Sequence, residues 1–265
     1  MPFTLAHGAA ALPFRRTRLI PSALVVGTFA PDLEYFLRLK PGGGYGHTLP
    51  GAFLLSLPMA LATLWMFHRV VKVPFTLLLP IRLQRRLAPF VGEFRFRGAR
   101  NFAWIVVSIL VGIATHILWD SCTHHDYWLY DHWALLGQTI RMPFGRVFYY
   151  FQLFQYLSSV LGCAVLLLWF VLWYRNAEES EPPFKTHLSA LGRSTILISV
   201  FLVAVAGGLV RAYLELGFPG QRFGKNDFVG QALCAIVALA WWQLFAFGLL
   251  ASRLVRSESR EYTQM

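Results

Sequence analysis

Five stretches of the chain stay apolar for about the length of a bilayer crossing, and polar residues crowd into the segments between them. A hydrocarbon core of about 30 Å needs roughly 20 helical residues. Residues 51–71, 102–119, 147–173, 194–213 and 229–250 approach or exceed that length. The pattern predicts an all-α fold, a polytopic integral membrane bundle of about five transmembrane helices. Residues 19–37 open with an apolar half, LIPSALVVGTFA, but then carry Pro31, Asp32 and Glu34. Nothing neutralises those carboxylates in lipid, so this stretch is read as an interfacial or re-entrant helix rather than a sixth crossing. The opening MPFTLAHGAAALPFRRTR lacks the order of a secretory signal, so the N-terminus is expected to be retained.

Composition agrees: of 265 residues, 56% are hydrophobic and only 14% charged, too little polar surface to cover a soluble globule. A single membrane domain is expected, with a site-forming segment at 1–50, a bundle at 51–252 and a polar tail at 253–265. The net charge of +11 is spread over loops, where anionic lipid headgroups are the nearer partner; the partner expected is the lipid bilayer, and no nucleic acid. The segment 72–100 carries Lys72, Arg82, Arg85, Arg86, Arg95, Arg97 and Arg100 against Glu93, which marks it as a cytoplasmic loop. With five crossings, His7, Asp32, His47, His116 and Asp120 then share the opposite face of the membrane. Residues 148–156, FYYFQLFQY, read as an aromatic belt at the start of a span, and Gly207-Gly208 as a helix-packing site. Cys122, Cys163 and Cys234 show no pairing or metal spacing and are expected to be free thiols.

The chemistry concentrates in GIATHILWDSCTHHDYWLYDHW. His116, Asp120 and His124 recur every four residues and would line one face of a continuous helix. Ahead of the first span come His7, Asp32 with Glu34 beside it, and GGGYGHTLPG with His47 and Thr48. The glycines around Tyr45 would let His47 bend back toward the other ligands. Imidazole and carboxylate suit a divalent transition metal, zinc first, with manganese or iron also compatible, and one or two ions. A water polarised by such an ion is a nucleophile for an ester or phosphoester. Glu34 is a candidate general base, and Thr48 a candidate for orienting His47 or binding substrate. The competing explanation for His116 and Asp120 is a plain hydrogen bond, and for His125, Asp126, Asp131 and His132 a solvated loop. His68 and His187 are expected at the surface.

The motifs MPFTLAH, PDLEYF, GHTLPG and THILWDSCTHH resemble an uncharacterised bacterial membrane-protein family, domain of unknown function 4184, over most of the chain. Their order, His, Asp, His-Thr and His-x-x-x-Asp, is similar to predicted metal-dependent membrane-bound hydrolases and distantly to zinc-dependent phospholipase C. The resemblance implies metal ligands at His7, Asp32, His47, His116 and Asp120, with His124 or His125 as a sixth. The later His-x-x-x-Glu pair of the phospholipase pattern has no counterpart, since His187 is followed by Leu191 at that spacing, and three metals are not expected. The function expected is hydrolysis of an ester or anionic phosphoester, with lipids among the candidate substrates, on the extracytoplasmic side of a bacterial inner membrane. The rival classes are an ion- or proton-coupled transporter and a non-catalytic scaffold.

Overall fold

The computed structural model describes residues 4–42, 44–125, 127–145, 147–181, 188–218 and 224–262, with no side-chain description at 144, 225 and 252–262. Asp126 and His187 lie outside the described residues. Five helices are long and apolar enough to cross a membrane: Leu49–Leu78, Ala99–Ser121, Tyr150–Asn176, Ala190–Leu216 and Asn226–Ala251. They are the first to fifth spans below, and they make the chain a helical, multi-pass membrane protein. The chain divides into two compact units, one of Met1–Leu33, Gly44–Leu61 and Phe96–Trp173, the other of Glu34–Gly43, Ala62–Arg95 and Tyr174–Met265.

In the first unit, the N-terminal segment folds back along the second span without crossing. Thr4–Arg16 is a tight helix of three residues per turn, long for that geometry. The α-helix Pro21–Gly27 follows. Its seven residues reach only about 10 Å, a third of a bilayer core. Pro21 starts this helix with its φ already helical. The expected re-entrant piece of 19–37 is therefore three short elements: Pro21–Gly27, the turn Ala30–Asp32 and the helix Leu33–Arg38. Backbones touch where Gly27 meets Gly112 of the second span; a Cβ on either would collide with the other helix's backbone. The Ile20 amide donates to Ser108 Oγ at 2.8 Å, which fixes the register of that contact.

Three element ends depart from the sequence reading. Residues 147–149 are a strand paired antiparallel with Thr139–Arg141, so the third span starts at Tyr150, and the expected aromatic belt is split between strand and helix. Val147, Phe148 and Tyr149 favour that pleated conformation beside the Pro143–Gly145 turn. Lys72, assigned to the basic loop, lies inside the first span, which runs on to Leu78; its ammonium donates to the Gly92 carbonyl. The second span ends at Ser121, short of His124, so the helix expected to carry His116, Asp120 and His124 is not continuous.

The second unit is built on the fourth and fifth spans. Gly208 sits against Ala232 and Ile236, the close approach expected of Gly207-Gly208. Gln231 Nε2 donates to the Leu39 carbonyl and Trp242 Nε1 to that of Phe36, anchoring segment 34–42 to the fifth span. His68 stacks on Phe94 at 3.8 Å between ring centroids, so it is packed against an aromatic ring rather than lying free at the surface. The three cysteines are free thiols.

Candidate metal centre

Four separate pieces of the first unit deliver the predicted residues to one buried point. The helical spacing of His116 and Asp120 turns both to the same side of the second span, where they are 0% and 1% exposed. Asp32 closes the Ala30–Asp32 turn, and His7 comes from the first turns of Thr4–Arg16; each is 1% exposed. His47 ends the turn Tyr45–His47. Two hydrogen bonds hold that turn to the first span: Ser56 Oγ donates to the Gly46 carbonyl, and the Gly51 amide to Thr48 Oγ1. Thr48 is thus spent capping the span and does not orient His47. Gly46 lies so close to Pro31 that a side chain there would strike the Pro31 carbonyl, which keeps His47 beside Asp32.

Asp32 Oδ1, His47 Nε2, His116 Nε2 and Asp120 Oδ2 form the corners of a small cage. The edges from His47 measure 3.3 Å to Asp32, 3.5 Å to Asp120 and 3.2 Å to His116. Those from His116 measure 3.7 Å to Asp32 and 3.3 Å to Asp120. These five edges make two triangles that share the His47–His116 side, and the centre of a triangle with edges of about 3.4 Å lies about 2.0 Å from each corner, the distance zinc keeps to imidazole and carboxylate. Asp120 turns its other oxygen, Oδ1, to His7 Nε2 at 3.4 Å and His124 Nδ1 at 3.7 Å. His124 reaches it because its amide still bonds the Asp120 carbonyl, one more turn of hydrogen bonding past the end of the span. Two triads, His7 with His116 and Asp120, and Asp32 with His47 and His116, each bring one ligand atom per residue within 4.8 Å of one another.

His47 Nε2 and His116 Nε2 are within hydrogen-bond reach of each other, but two carboxylate oxygens are left without an aligned bond. Asp32 Oδ1 and Asp120 Oδ1 are buried with no hydrogen-bond partner among the described residues, although imidazole nitrogens lie 3.3 and 3.4 Å away. Buried carboxylate oxygens are rarely left so; a cation in the cage would satisfy Asp32 Oδ1, and one beside His7 would satisfy Asp120 Oδ1. The surroundings also set which nitrogen is free. His116 Nδ1 lies 2.8 Å from the Thr28 carbonyl, which can only accept, so Nδ1 carries the proton and Nε2 presents its lone pair to the cage. Thr4 Oγ1 donates to Asp32 Oδ2 at 2.6 Å, leaving Oδ1 for the cage.

Burial opposes a charge on His47, but the Asp120 and Asp32 carboxylates beside its ring outweigh it and raise its pKa to about 9. Burial, seconded by the neighbouring His116, pushes His7 down to about 4. Burial works against the Asp32 charge, yet the imidazoles of His47 and His116 and the Thr4 hydroxyl hold its carboxyl below the usual range. Burial also lowers His124. A metal-free cage therefore carries a proton on His47 at pH 7, and a cation must displace it. Zinc affinity should rise with pH at least about tenfold per unit up to about 9 and then level, with protons released on binding, as read by calorimetry in buffers of different ionisation enthalpy. The linkage signs differ for the two histidines. The raised His47 stabilises the metal-free fold below about pH 6.5, and this is lost as pH rises through 9; the lowered His7 destabilises it as pH falls from 6.5 through 4. Metal-free protein should thus melt highest near pH 6.5, and added zinc should move that optimum upward.

Not every sequence candidate joins the cage. His125, Asp131 and His132 are exposed, and His132 Nδ1 bonds the Trp128 carbonyl. Glu34, the candidate general base, is buried and belongs to the second unit. Thr4, Thr28 and Trp119, whose indole packs 5.2 Å from the His7 ring, escaped the sequence reading. Thr4 alone left a trace there, three residues ahead of His7; a backbone carbonyl such as that of Thr28 leaves none.

No curated protein and no solved structure matches the chain. A family model does, over residues 1–250, and the chain therefore belongs to the family described as Domain of unknown function (DUF4184).

Proposed function

We propose that this protein is a membrane-bound, metal-dependent hydrolase that cuts an ester or phosphoester at the extracytoplasmic face of a bacterial inner membrane. The observation that carries the reading is the cage of Asp32, His47, His116 and Asp120, whose five short edges suit the ligand distances of zinc. Its ligands are hard or intermediate nitrogen and oxygen donors, and no thiolate takes part. His116 has a single lone pair to give, because Nδ1 is committed to Thr28, so it serves one ion only. A second ion would rest on His7 Nε2 and Asp120 Oδ1, with Asp120 as the bridge, since His124 Nδ1 is turned to the Asp120 carbonyl; that set is incomplete and leaves coordination positions for water and substrate. A divalent cation supplies positive charge to the attacked carbonyl or phosphoryl oxygen and eases ionisation of water. The chain's own residues fix its place, exclude bulk water and hold the imidazole tautomers. In the reaction a water oxygen bonds the acyl carbon or phosphorus, the ester C–O or P–O bond breaks, and the leaving oxygen takes up a proton.

The test is elemental analysis of protein purified in detergent, together with hydrolysis of p-nitrophenyl esters and bis-p-nitrophenyl phosphate. One to two equivalents of a transition metal, and turnover that chelation abolishes and zinc restores, are expected. Metal without turnover on any such substrate would favour a scaffold, and metal-free protein would remove the reading altogether.

A further inference from the structure

A groove of about 670 Å³ runs beside the candidate metal centre, between the Thr4–Arg16 helix and the second and third spans. That volume lies within the roughly 300–1,000 Å³ of small-molecule sites. Leu118, Trp133, Phe154, Leu157 and Leu161 supply its apolar wall. The polar residues that reach it have turned their hydrogens away. Thr115 Oγ1 donates to the Gly112 carbonyl, Ser158 Oγ to that of Gln155 and Cys122 Sγ to that of Leu118. Thr123 Oγ1 donates to the Trp119 carbonyl. The groove is thereby lined as hydrocarbon. Trp119 is the exception: its Nε1–H is buried without a hydrogen-bond partner among the described residues, and its ring packs against His7. A buried indole N–H calls for an acceptor, and Asp120 and His7 place this one next to the cage.

The occupant follows from where the groove opens. Both long walls are membrane spans, and the third span shows its apolar side chains to the surroundings, Leu157 at 49%, Val160 at 67% and Leu161 at 61% exposure. The medium that such spans face is lipid. We propose that the groove holds the acyl chain of a membrane lipid ester, with Trp119 Nε1–H donating to an oxygen of its ester or phosphoester group at the metal centre. This deepens the hydrolase reading and rests on it for the bond that is cut; the seat of the chain stands on the groove alone.

Two arms test it separately. Phosphatidylcholine carrying a diazirine near the end of one acyl chain, irradiated with the protein in nanodiscs, should label residues 115–123 and 154–161. Labelling there should drop about tenfold in Leu161→Trp and in Leu118→Trp, both of which fill the groove from exposed positions, while metal content and melting temperature report that each variant is folded. Equal labelling in wild type and both variants, or chain-to-chain crosslinks at this face that exclude the lipid, would overturn the proposal. In the second arm, p-nitrophenyl esters from acetate to palmitate should be turned over with kcat/KM rising with chain length, and the palmitate-to-acetate ratio should fall about tenfold in Leu161→Trp. A ratio that chain length and the substitution leave unmoved contradicts the groove while leaving the hydrolase intact; loss of all turnover with labelling retained contradicts the hydrolase and leaves the groove.

Discussion

Asp120→Ala should strip the protein of bound metal and of hydrolytic activity together. Its two oxygens face different partners, with Oδ2 at 3.3 and 3.5 Å from His116 and His47 and Oδ1 at 3.4 Å from His7. Losing an outer-shell partner costs a metal site about 10- to 100-fold in affinity, so loss of this ligand should exceed about a hundredfold. The metal-free fold should suffer as well. Removing the carboxylate leaves buried imidazoles without their counter-charge, which typically destabilises by about 3–5 kcal/mol. Asp120→Asn separates the two effects, because the amide fills the same space without the charge. Metal titration and thermal melts of both variants check this. Wild-type affinity in Asp120→Ala would show that the carboxylate is no ligand.

The second large effect is expected at a distance from any ligand. Gly112→Val places a branched side chain where the second span touches the Leu24 carbonyl and Gly27. Pro21–Gly27 must then move away, and forced overpacking of this kind costs about 1–3 kcal/mol. It should also draw the Thr28 carbonyl off His116 Nδ1 and release the tautomer that points Nε2 into the cage. Metal affinity should therefore fall about 10- to 100-fold although no ligand has changed. Gly92→Val, at an exposed glycine with open space around it, is the control and should leave affinity unaltered. A Gly112→Val protein with wild-type metal affinity would show that the helix contact does not position His116.

The five spans were legible because a bilayer imposes length and apolarity that the chain cannot disguise. Their ends were less so. Lys72 reads as loop until the Gly92 carbonyl receives its ammonium, and Val147 to Tyr149 read as span until a partner strand takes their backbone. The ligand types were legible for a related reason: His116 and Asp120 within an apolar run need partners. That His7, Asp32, His47 and Asp120 are those partners was only a conjecture from order and type, since three of the four come from outside the span. What fixes them is backbone: Gly27 against Gly112, Gly46 against Pro31, and the Thr28 carbonyl on His116. Hydropathy and motif spacing register none of these. His124 shows both sides, since the helix ends before it yet one residual turn still brings it to Asp120.

The most direct measurement is X-ray absorption at the zinc edge of protein loaded with one equivalent of zinc. A cage of two imidazoles and two carboxylates predicts four nitrogen and oxygen neighbours at about 2.0–2.1 Å, imidazole outer-shell scattering and no sulfur. In His116→Ala that spectrum should disappear with the bound metal. A sulfur shell at about 2.3 Å, or zinc that stays hydrated in solution and never joins the protein, would contradict the account.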